Sequence, residues 1–345
     1  MKVNILYKIT DGPWGGGNQF LKGLKGYLEK AGVYEEDPEK ADAILLNSHH
    51  SFREALSIKF TFPKKVIVHR VDGPVFLVRG KNREIDSLIF EVNSSIADGT
   101  VFQSNWSRAK CLESGMRGQG HETIILNAPD PEVFYPKEKK EARGGKTNII
   151  ATSWSANMKK GFNTYKFLDE NLDFERFGMT FVGNSPFAFK NIKHVKPVQS
   201  RDLADMLRGH DIFITASMDD PCSNSLIEAL HCGLPAVALN SGGHPEIVGK
   251  GGVVFSNDKD VIGAIEAVQR DYWGFLRNIN LPHINDIGKR YYDFIVNIHN
   301  ETKNNVYTPR KLSYIKASKL SLRLRTIETI AKMTSHLESL SSFIL

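Results

Sequence analysis

Short apolar runs rich in valine and isoleucine alternate along the chain with longer segments in which apolar positions recur every three or four residues. The first pattern is typical of buried strands and the second of amphipathic helices. In the first half it predicts strands at Val3–Tyr7, Ala43–Leu46, Val66–His69, Thr100–Gln103 and Thr123–Leu126, with helices near 18–31, 51–58, 82–96 and 105–114. In the second half it predicts strands at Asn148–Thr152, Met179–Val182, Asp211–Ala216, Ala236–Leu239 and Val253–Phe255, with helices near 161–171, 199–208, 225–232 and 258–271. This alternation indicates an α/β protein with two doubly wound parallel sheets in tandem.

A polar, charge-rich stretch from Pro136 to Thr147 separates the two halves and has no apolar periodicity, as expected of a linker. The 345 residues suit two domains. We therefore predict domains at 1–140 and 141–285, a helix around Tyr291–His299, and a separate tail at 306–345.

Composition narrows the class of protein further. Hydrophobic residues make up 41% and charged residues 24%, as in ordinary globular proteins, and no run approaches the ~20 apolar residues of a membrane-spanning helix. Without an export signal, the three cysteines are expected to be reduced and the chain cytoplasmic. The net charge is +6, of which +5 falls in the tail, so the nearly neutral body argues against a nucleic-acid partner.

Loops that follow parallel strands carry the candidate chemistry, because ligands bind such sheets at the carboxyl ends of the strands. The first of these loops contains Gly15, Gly16 and Gly17 just before a predicted helix. Glycines there let backbone amides approach a ligand, and a simple tight turn is the equal alternative.

A second loop places His69 and Asp72 after a strand, where they could bind hydroxyls or orient a developing charge. The alternative is a surface pair between Arg70 and Asp72 beside a hydrogen-bonded turn histidine.

The most informative segment runs from Asp211 to Val248. Asp220 lies in the loop after a strand, and Glu228 lies in the predicted first turn of the next helix, so both acids can face a cleft. One carboxylate could accept two vicinal hydroxyls, while free amides of Ser223, Asn224, Ser225 and Leu226 take up phosphate. The alternative is a capping box in which Glu228 satisfies the amide of Ser225.

This segment resembles retaining glycosyltransferases of family 4 (glycosyl transferases group 1). The family has two acids separated by seven residues, then E-A-x-x-C-G-x-P and a G-G-x-x-E-I-V turn. The matching residues are Asp220, Glu228-Ala229, Cys232-Gly233, Pro235, Gly242-Gly243 and Glu246-Ile247-Val248. The resemblance covers residues 1 to 300 and implies the GT-B fold: two Rossmann-like domains facing a cleft, with a helix at 286–305 crossing back to the first.

The resemblance also implies roles. Glu228 would bind the nucleotide ribose, Asp220 the hydroxyls of the transferred sugar, and Lys160 the diphosphate, with the amides of residues 223–226 and of Gly242 and Gly243. His69 or Asp72 would line the sugar side of the cleft. The chain departs from the family at Asp220, where glutamate is usual, and at Trp154, near the place of an expected arginine, which leaves Lys159 or a neighbour as the second cation.

The implied activity is transfer of a sugar from a nucleoside diphosphate sugar to a glycan or lipid-linked acceptor, with retention, in polysaccharide or glycoconjugate assembly. No cofactor and no metal are expected, and the acids at Asp258 and Asp260 are interpreted as a helix cap. Two alternatives stay open: a GT-B sugar-nucleotide epimerase, and a non-catalytic glycan- or membrane-binding scaffold on a degenerate transferase fold.

The tail carries an amphipathic pattern with cations largely outside its apolar stripe. The stripe consists of Leu320, Leu324, Ile327, Ala331, Thr334, Leu337, Leu340 and Ile344. Such a helix can lie on an anionic membrane surface or pack on the body or on a second subunit, and the pattern does not choose between these.

Overall fold

The structure, a computed structural model, describes residues 1–10, 16–80, 83–118, 120–137 and 145–341, with side chains described as far as residue 330. Gly15, most of the predicted linker and the last part of the tail's apolar stripe lie outside the described residues or side chains.

The first domain is built on a parallel sheet whose strands lie in chain order. These strands are β1 (Val3–Leu6), β2 (Ala43–Asn47), β3 (Val66–Val71), β4 (Gly99–Phe102) and β5 (Glu122–Ile124). A single parallel bridge between Val3 and Tyr34 adds a rudimentary strand on the far side of β1. The chain therefore passes from β1 to Tyr34 on one side of β1 and then to β2 on the other side. The strand order thus changes direction at β1, as in a doubly wound sheet.

Five helices connect these strands. They are α1 (Gly16–Lys30), α2 (Phe52–Thr61), α3 (Val75–Arg79), α4 (Arg83–Ile96) and α5 (Asn105–Glu113). Apolar residues of α1 pack on one face of the sheet, and those of α2 and α4 pack on the other.

The second domain contains a six-stranded parallel sheet in the order β11-β10-β9-β6-β7-β8. Its strands are β6 (Thr147–Ser153), β7 (Phe177–Gly183), β8 (Lys193–Val195), β9 (Ile212–Thr215), β10 (Ala236–Leu239) and β11 (Gly252–Phe255). The order reverses between β6 and β9, so the crevice for a ligand opens at the carboxyl ends of these two strands.

The helices of this domain cover both faces of its sheet. They are α6 (Phe162–Asn171), α7 (Ser200–Arg208), α8 (Asn224–His231), α9 (His244–Val248), α10 (Val261–Arg270) and α11 (Tyr272–Arg277).

Two further helices return to the first domain: α12 (Ile284–Lys303), which packs against α1, and α13 (Tyr314–Ser341), which packs against α2 and α4. The segment between them is held by Asp98, which is buried at the end of α4. One carboxylate oxygen accepts from Lys59 Nζ and the amide of Ile67, and the other from Tyr307 Oη and the amide of Arg310, over 2.7–3.1 Å. One buried carboxylate thus bonds donors of the first domain and donors of the segment between α12 and α13. These shared hydrogen bonds fix that segment to the first domain.

The predicted two-domain α/β fold is confirmed, and all ten predicted strands are present within one or two residues of their expected ends. The apolar pattern missed β8 and the short helices α3, α9 and α11, because three to six residues are too few to establish a period. All three cysteines are buried and unpaired. Within the described residues, no helix combines the length and apolar character needed to span a membrane.

The tail's apolar stripe packs on the first domain as far as its side chains are described. Leu320 and Leu324 lie in the core formed by the outer face of the sheet, and Ile327 packs against it. The hypothesis that this stripe lies on a membrane is therefore wrong for these three residues.

We expect Leu320→Ala to destabilise the protein by about 2–5 kcal/mol, because it leaves a cavity in a fully buried position. Leu322→Ala, two residues away on the exposed side of the helix, should change the free energy of unfolding by less than about 0.5 kcal/mol. Urea unfolding of both variants measures the difference. Equal effects would contradict the packing of α13 on the first domain.

Candidate active site

Lys160 and Asp220 meet at the point where the strand order of the second sheet reverses. Lys160 ends a single turn of 3₁₀ helix, Met158–Lys160, in the loop after β6, and Asp220 lies in the loop after β9. Lys160 Nζ donates to Asp220 Oδ2 over 3.0 Å. Burial raises the pKa of Asp220, but the Lys160 ammonium, His244 and the amide of Cys222 together lower it by more, so that this pKa lies below its usual range. Asp220 is therefore a carboxylate at neutral pH.

The glycine turn between β10 and α9 packs directly against the backbone of Asp220. Gly242 has a φ of +63°, and a Cβ there would lie 2.2 Å from the carbonyl oxygen of Asp220. The amide of Gly243 donates to that same carbonyl over 2.9 Å. The expectation that the amides of Gly242 and Gly243 bind diphosphate is therefore wrong for Gly243, because its amide already donates to Asp220. Both glycines are also buried.

Helix α8 directs its amino terminus toward the same crevice. Ser223 occupies the cap position without a capping hydrogen bond from its side chain, and within the described residues the amides of Asn224, Ser225 and Leu226 have no acceptor. These amides and the positive end of the helix dipole form an anion-binding arrangement.

Glu228 is the fifth residue of α8 rather than the third, so the capping box that the sequence allowed is absent. Its side chain is partly exposed at the cavity wall. No ion pair or hydrogen bond to its carboxyl group occurs in the described part of the chain, and desolvation by burial raises its pKa from 4.5 to about 8. The group is thus protonated and without a partner at neutral pH, an arrangement that a ligand with hydroxyl donors would relieve.

The first domain approaches α8 closely at Gly16. A Cβ at Gly16 would lie 2.3–2.6 Å from atoms of the Asn224 side chain, so only glycine fits this interdomain contact. Asn224 Oδ1 also accepts from Asn127 Nδ2 of the first domain over 3.0 Å. Gly17 has open space on its side-chain face.

This contact divides the interdomain cleft into two cavities that share Gly16, Asn224 and Glu228. The smaller, about 470 Å³, contains Lys160 and Asp220 and extends to Pro197 and Val198 after β8. The larger, about 1240 Å³, lies between α1 and the start of α7. The polar residues that converge on the smaller cavity make it the candidate active site.

A buried guanidinium organises the first domain's side of the cleft. Arg70 is only 1% exposed and donates to the side-chain oxygens of Asn47, Asp72 and Asn127 over 2.6–2.8 Å. Its plane lies 4.8 Å from the ring centre of Phe20. The Arg70–Asp72 pair that the sequence allowed therefore exists, but its arginine is buried, whereas Asp72 is partly exposed.

His69 does not line the cleft. It is fully buried, with Nε2 2.7 Å from the carbonyl oxygen of Ser48 and Nδ1 3.2 Å from Asn93 Nδ2. Burial lowers its pKa to about 4, so the ring is neutral. The expectation that His69 contacts a sugar is wrong, because strand β3 extends to Val71 and turns His69 into the core.

Three rings that the sequence did not single out, Tyr7, His49 and His50, lie together in the first domain. His50 stacks on His49 at 4.4 Å and contacts the Tyr7 ring edge to face at 5.0 Å. Burial lowers the pKa of His49 to about 4, and the charge of Asp72 acts on both histidines. These rings follow β1 and β2, so the rule that ligands bind after parallel strands could have identified them.

Arg79 was also missed, because the five-residue helix α3 has no recognisable pattern. It lines the smaller cavity opposite Lys160. Lys159, which the sequence offered as a second cation, instead contacts Asp219 at 3.2 Å and donates to the carbonyl of Leu77 across the cleft. Trp154 lies on the cavity wall.

Comparison with known proteins confirms the family resemblance for part of the chain. Residues 171–271, which include both acids, match the family model described as Glycosyl transferases group 1. No curated protein matches the chain in sequence.

Solved structures establish the fold. HepE of Anabaena, solved with UDP-glucose, superposes with a TM-score of 0.62 at 13% identity, covering 89% of this chain and 99% of its own. Sucrose-phosphate synthase of Thermosynechococcus elongatus gives 0.64 at 13%, with the same coverage. The catalytic domain of starch synthase IV of Arabidopsis thaliana, bound to ADP and acarbose, gives 0.60 at 12%, covering 83% of this chain and 79% of its own. The chain has the GT-B fold.

We expect Glu228→Gln to gain stability over the wild type as pH rises from 4.5 through about 8. The unfolded chain releases the Glu228 proton near pH 4.5 and the folded protein only near 8, so this group's favourable contribution is lost over that interval. Urea unfolding at pH 5 and pH 9 measures the difference. Glu170→Gln, on an exposed position of α6, is the control; a pH-independent difference for Glu228→Gln would contradict the raised pKa.

Proposed function

We propose that this protein transfers a sugar from a nucleoside diphosphate sugar to an acceptor hydroxyl, with the donor bound in the smaller cavity. The observation that carries the proposal is the unpartnered carboxyl group of Glu228 beside the free amides of α8. The match of residues 171–271 to the group 1 glycosyl transferases supports it, as does HepE, which has the same fold and was solved with UDP-glucose.

The cavity offers hydrogen-bond acceptors for the hydroxyls of the sugar donor and hydrogen-bond donors for its diphosphate. Ribose hydroxyls donate to Glu228, which ionises when they bind, and the diphosphate accepts from the amides of Asn224, Ser225 and Leu226. Hydroxyls of the transferred sugar donate to Asp220, whose ionised state Lys160 maintains. The base extends toward Pro197 and Val198 at the far end of the cavity.

The reaction proceeds with retention of the anomeric configuration and without a metal ion. The bond between the anomeric carbon and the diphosphate oxygen breaks, and the acceptor oxygen bonds to that carbon on the same face. The acceptor proton passes to the departing diphosphate, so no protein nucleophile is needed. The protein's contribution is to stabilise the charge that grows on the leaving group, through Lys160 and the preorganised amides.

Arg79 supplies the second cation. Trp154 stands near the place of the family's arginine and Lys159 contacts Asp219, so neither position supplies a second cation beside Lys160. Arg79 faces the same cavity from the opposite domain. Lys159 steadies it by contacting the carbonyl of Leu77 in α3, two residues before Arg79.

The acceptor binds on the first domain's side, where Tyr7, His50 and Asp72 follow successive strands. Aromatic and imidazole faces suit the apolar face of a sugar ring, and a carboxylate accepts its hydroxyls. A glycan or a lipid-linked saccharide fits this arrangement, which accords with a role in polysaccharide or glycoconjugate assembly.

Thermal shift against uridine, guanosine and adenosine diphosphate sugars tests the function. We expect one donor to stabilise the wild type by roughly 2.7 kcal/mol at a hundredfold excess over its dissociation constant. Glu228→Gln should abolish this stabilisation, because an amide cannot ionise to accept two hydroxyls, whereas Glu170→Gln should retain it. Stabilisation of Glu228→Gln equal to that of the wild type, or no response of the wild type to any donor, would refute the proposed function.

Removing the second cation should weaken diphosphate binding selectively. We expect Arg79→Ala to lower affinity for the nucleoside diphosphate about tenfold to a hundredfold, the equivalent of a charged hydrogen bond, with little effect on the nucleoside itself. Titration calorimetry measures both. Arg83→Ala is the matched control, since this exposed arginine lies over Phe76 outside the cavity; equal effects of the two substitutions would exclude the role of Arg79.

A further inference from the structure

Helix α13 carries apolar side chains on two opposite faces. One face, formed by Leu320, Leu324 and Ile327, packs on the first domain. On the opposite face Ile315 is 81% exposed and Leu322 67% exposed, and these two residues are seven apart, so they lie two turns apart on one side. The packing of the helix on the domain therefore leaves this second face uncovered by any residue that the structure describes.

The exposed face continues onto the neighbouring helix. The rings of Tyr314 and Phe60 lie 6.4 Å apart, and at least half of each side chain is exposed. Between α2 and α13 runs an open groove of about 500 Å³, with Leu56, Phe60 and Leu322 along it. Single exposed apolar residues are ordinary on protein surfaces, but a contiguous set marks an interaction site.

The charges around this face have one sign. Lys319 and Arg325 flank Leu322 on the outer side of α13. Among the described residues these two cations have no acidic partner, whereas Glu328, the acid on this part of the helix, is paired with Arg53. The face is therefore apolar along its centre and cationic at its edges.

We propose that the outer face of α13, together with Phe60 of α2, docks the protein on an anionic lipid surface. Ile315, Leu322 and the two rings enter the boundary between headgroups and acyl chains, and Lys319 and Arg325 contact the lipid phosphates. A helix that lies flat in this way requires cations beside an apolar stripe, which the outer face offers. The proposal concerns the first domain alone and does not depend on the donor chemistry.

Sedimentation of the full chain with vesicles tests the proposal. We expect binding to vesicles of phosphatidylcholine with about a quarter phosphatidylglycerol, weak binding to phosphatidylcholine alone, and loss of binding as salt rises. Lys319→Glu with Arg325→Glu should lower the vesicle-bound fraction about tenfold or more, since each cation near such a surface contributes to binding. Leu322→Glu should lower it as well, with no effect on urea unfolding because the side chain is exposed.

Two controls separate this surface from other sources of binding. Lys250→Glu with Arg270→Glu makes the same change of charge on exposed positions of the second domain and should leave vesicle binding unaltered. Glu228→Gln should also leave it unaltered, so a failure of vesicle binding and a failure of donor binding can be told apart.

Absence of binding to the anionic vesicles, or an equal loss in the Lys250 and Arg270 control, overturns the proposal. A concentration-dependent dimer in light scattering that Leu322→Glu abolishes, without vesicle binding, would assign the face to a second copy of the chain and likewise overturn it.

Discussion

The candidate active site depends on the contact between Gly16 and Asn224. The asparagine side chain occupies the space that any side chain at position 16 would need, and its oxygen is held by Asn127 of the same first domain. The contact closes the cleft at one point and leaves a cavity on either side, with Glu228 reaching both. A larger residue at position 16 would separate the domains at the place where their functional groups must meet.

Around that contact, the two acids are held in opposite states by their surroundings. Lys160, with His244 and the amide of Cys222, keeps Asp220 ionised despite its burial, whereas no cation of the described residues pairs with Glu228, which retains its proton near neutral pH. If ribose hydroxyls ionise Glu228 on binding, donor binding releases a proton, and the cost of that ionisation is offset by two new hydrogen bonds. Burial and pairing thus distinguish two carboxyl groups that lie eight positions apart in the sequence.

The sequence predicted the features that depend on long periods or on local motifs, such as the ten strands, the two parallel sheets and the position of Asp220 in the loop after a strand. It could not establish features that depend on which face of an element is covered. His69 was expected in the cleft because strand β3 was given two residues too few, which placed the histidine in the loop instead of the core. Arg79 was not found because its helix has five residues, and the amide of Gly243 was assigned to the diphosphate because a motif does not reveal that this amide already donates to the Asp220 carbonyl. The apolar stripe of the tail was predicted, but periodicity alone does not show which surface covers that stripe.

The distribution of these groups between the domains has a mechanical consequence. Arg79, the rings at Tyr7 and His50, and the exposed face of α13 all belong to the first domain, while Lys160, Asp220 and Glu228 belong to the second. In the proposed reaction, Lys160 and the amides of α8 bind the leaving diphosphate from the second domain, and Arg79 and the acceptor reach it from the first. Both cations can therefore act on the leaving group only where the two domains lie in contact, and the close approach of Gly16 to Asn224 is such a contact at the edge of the cavity.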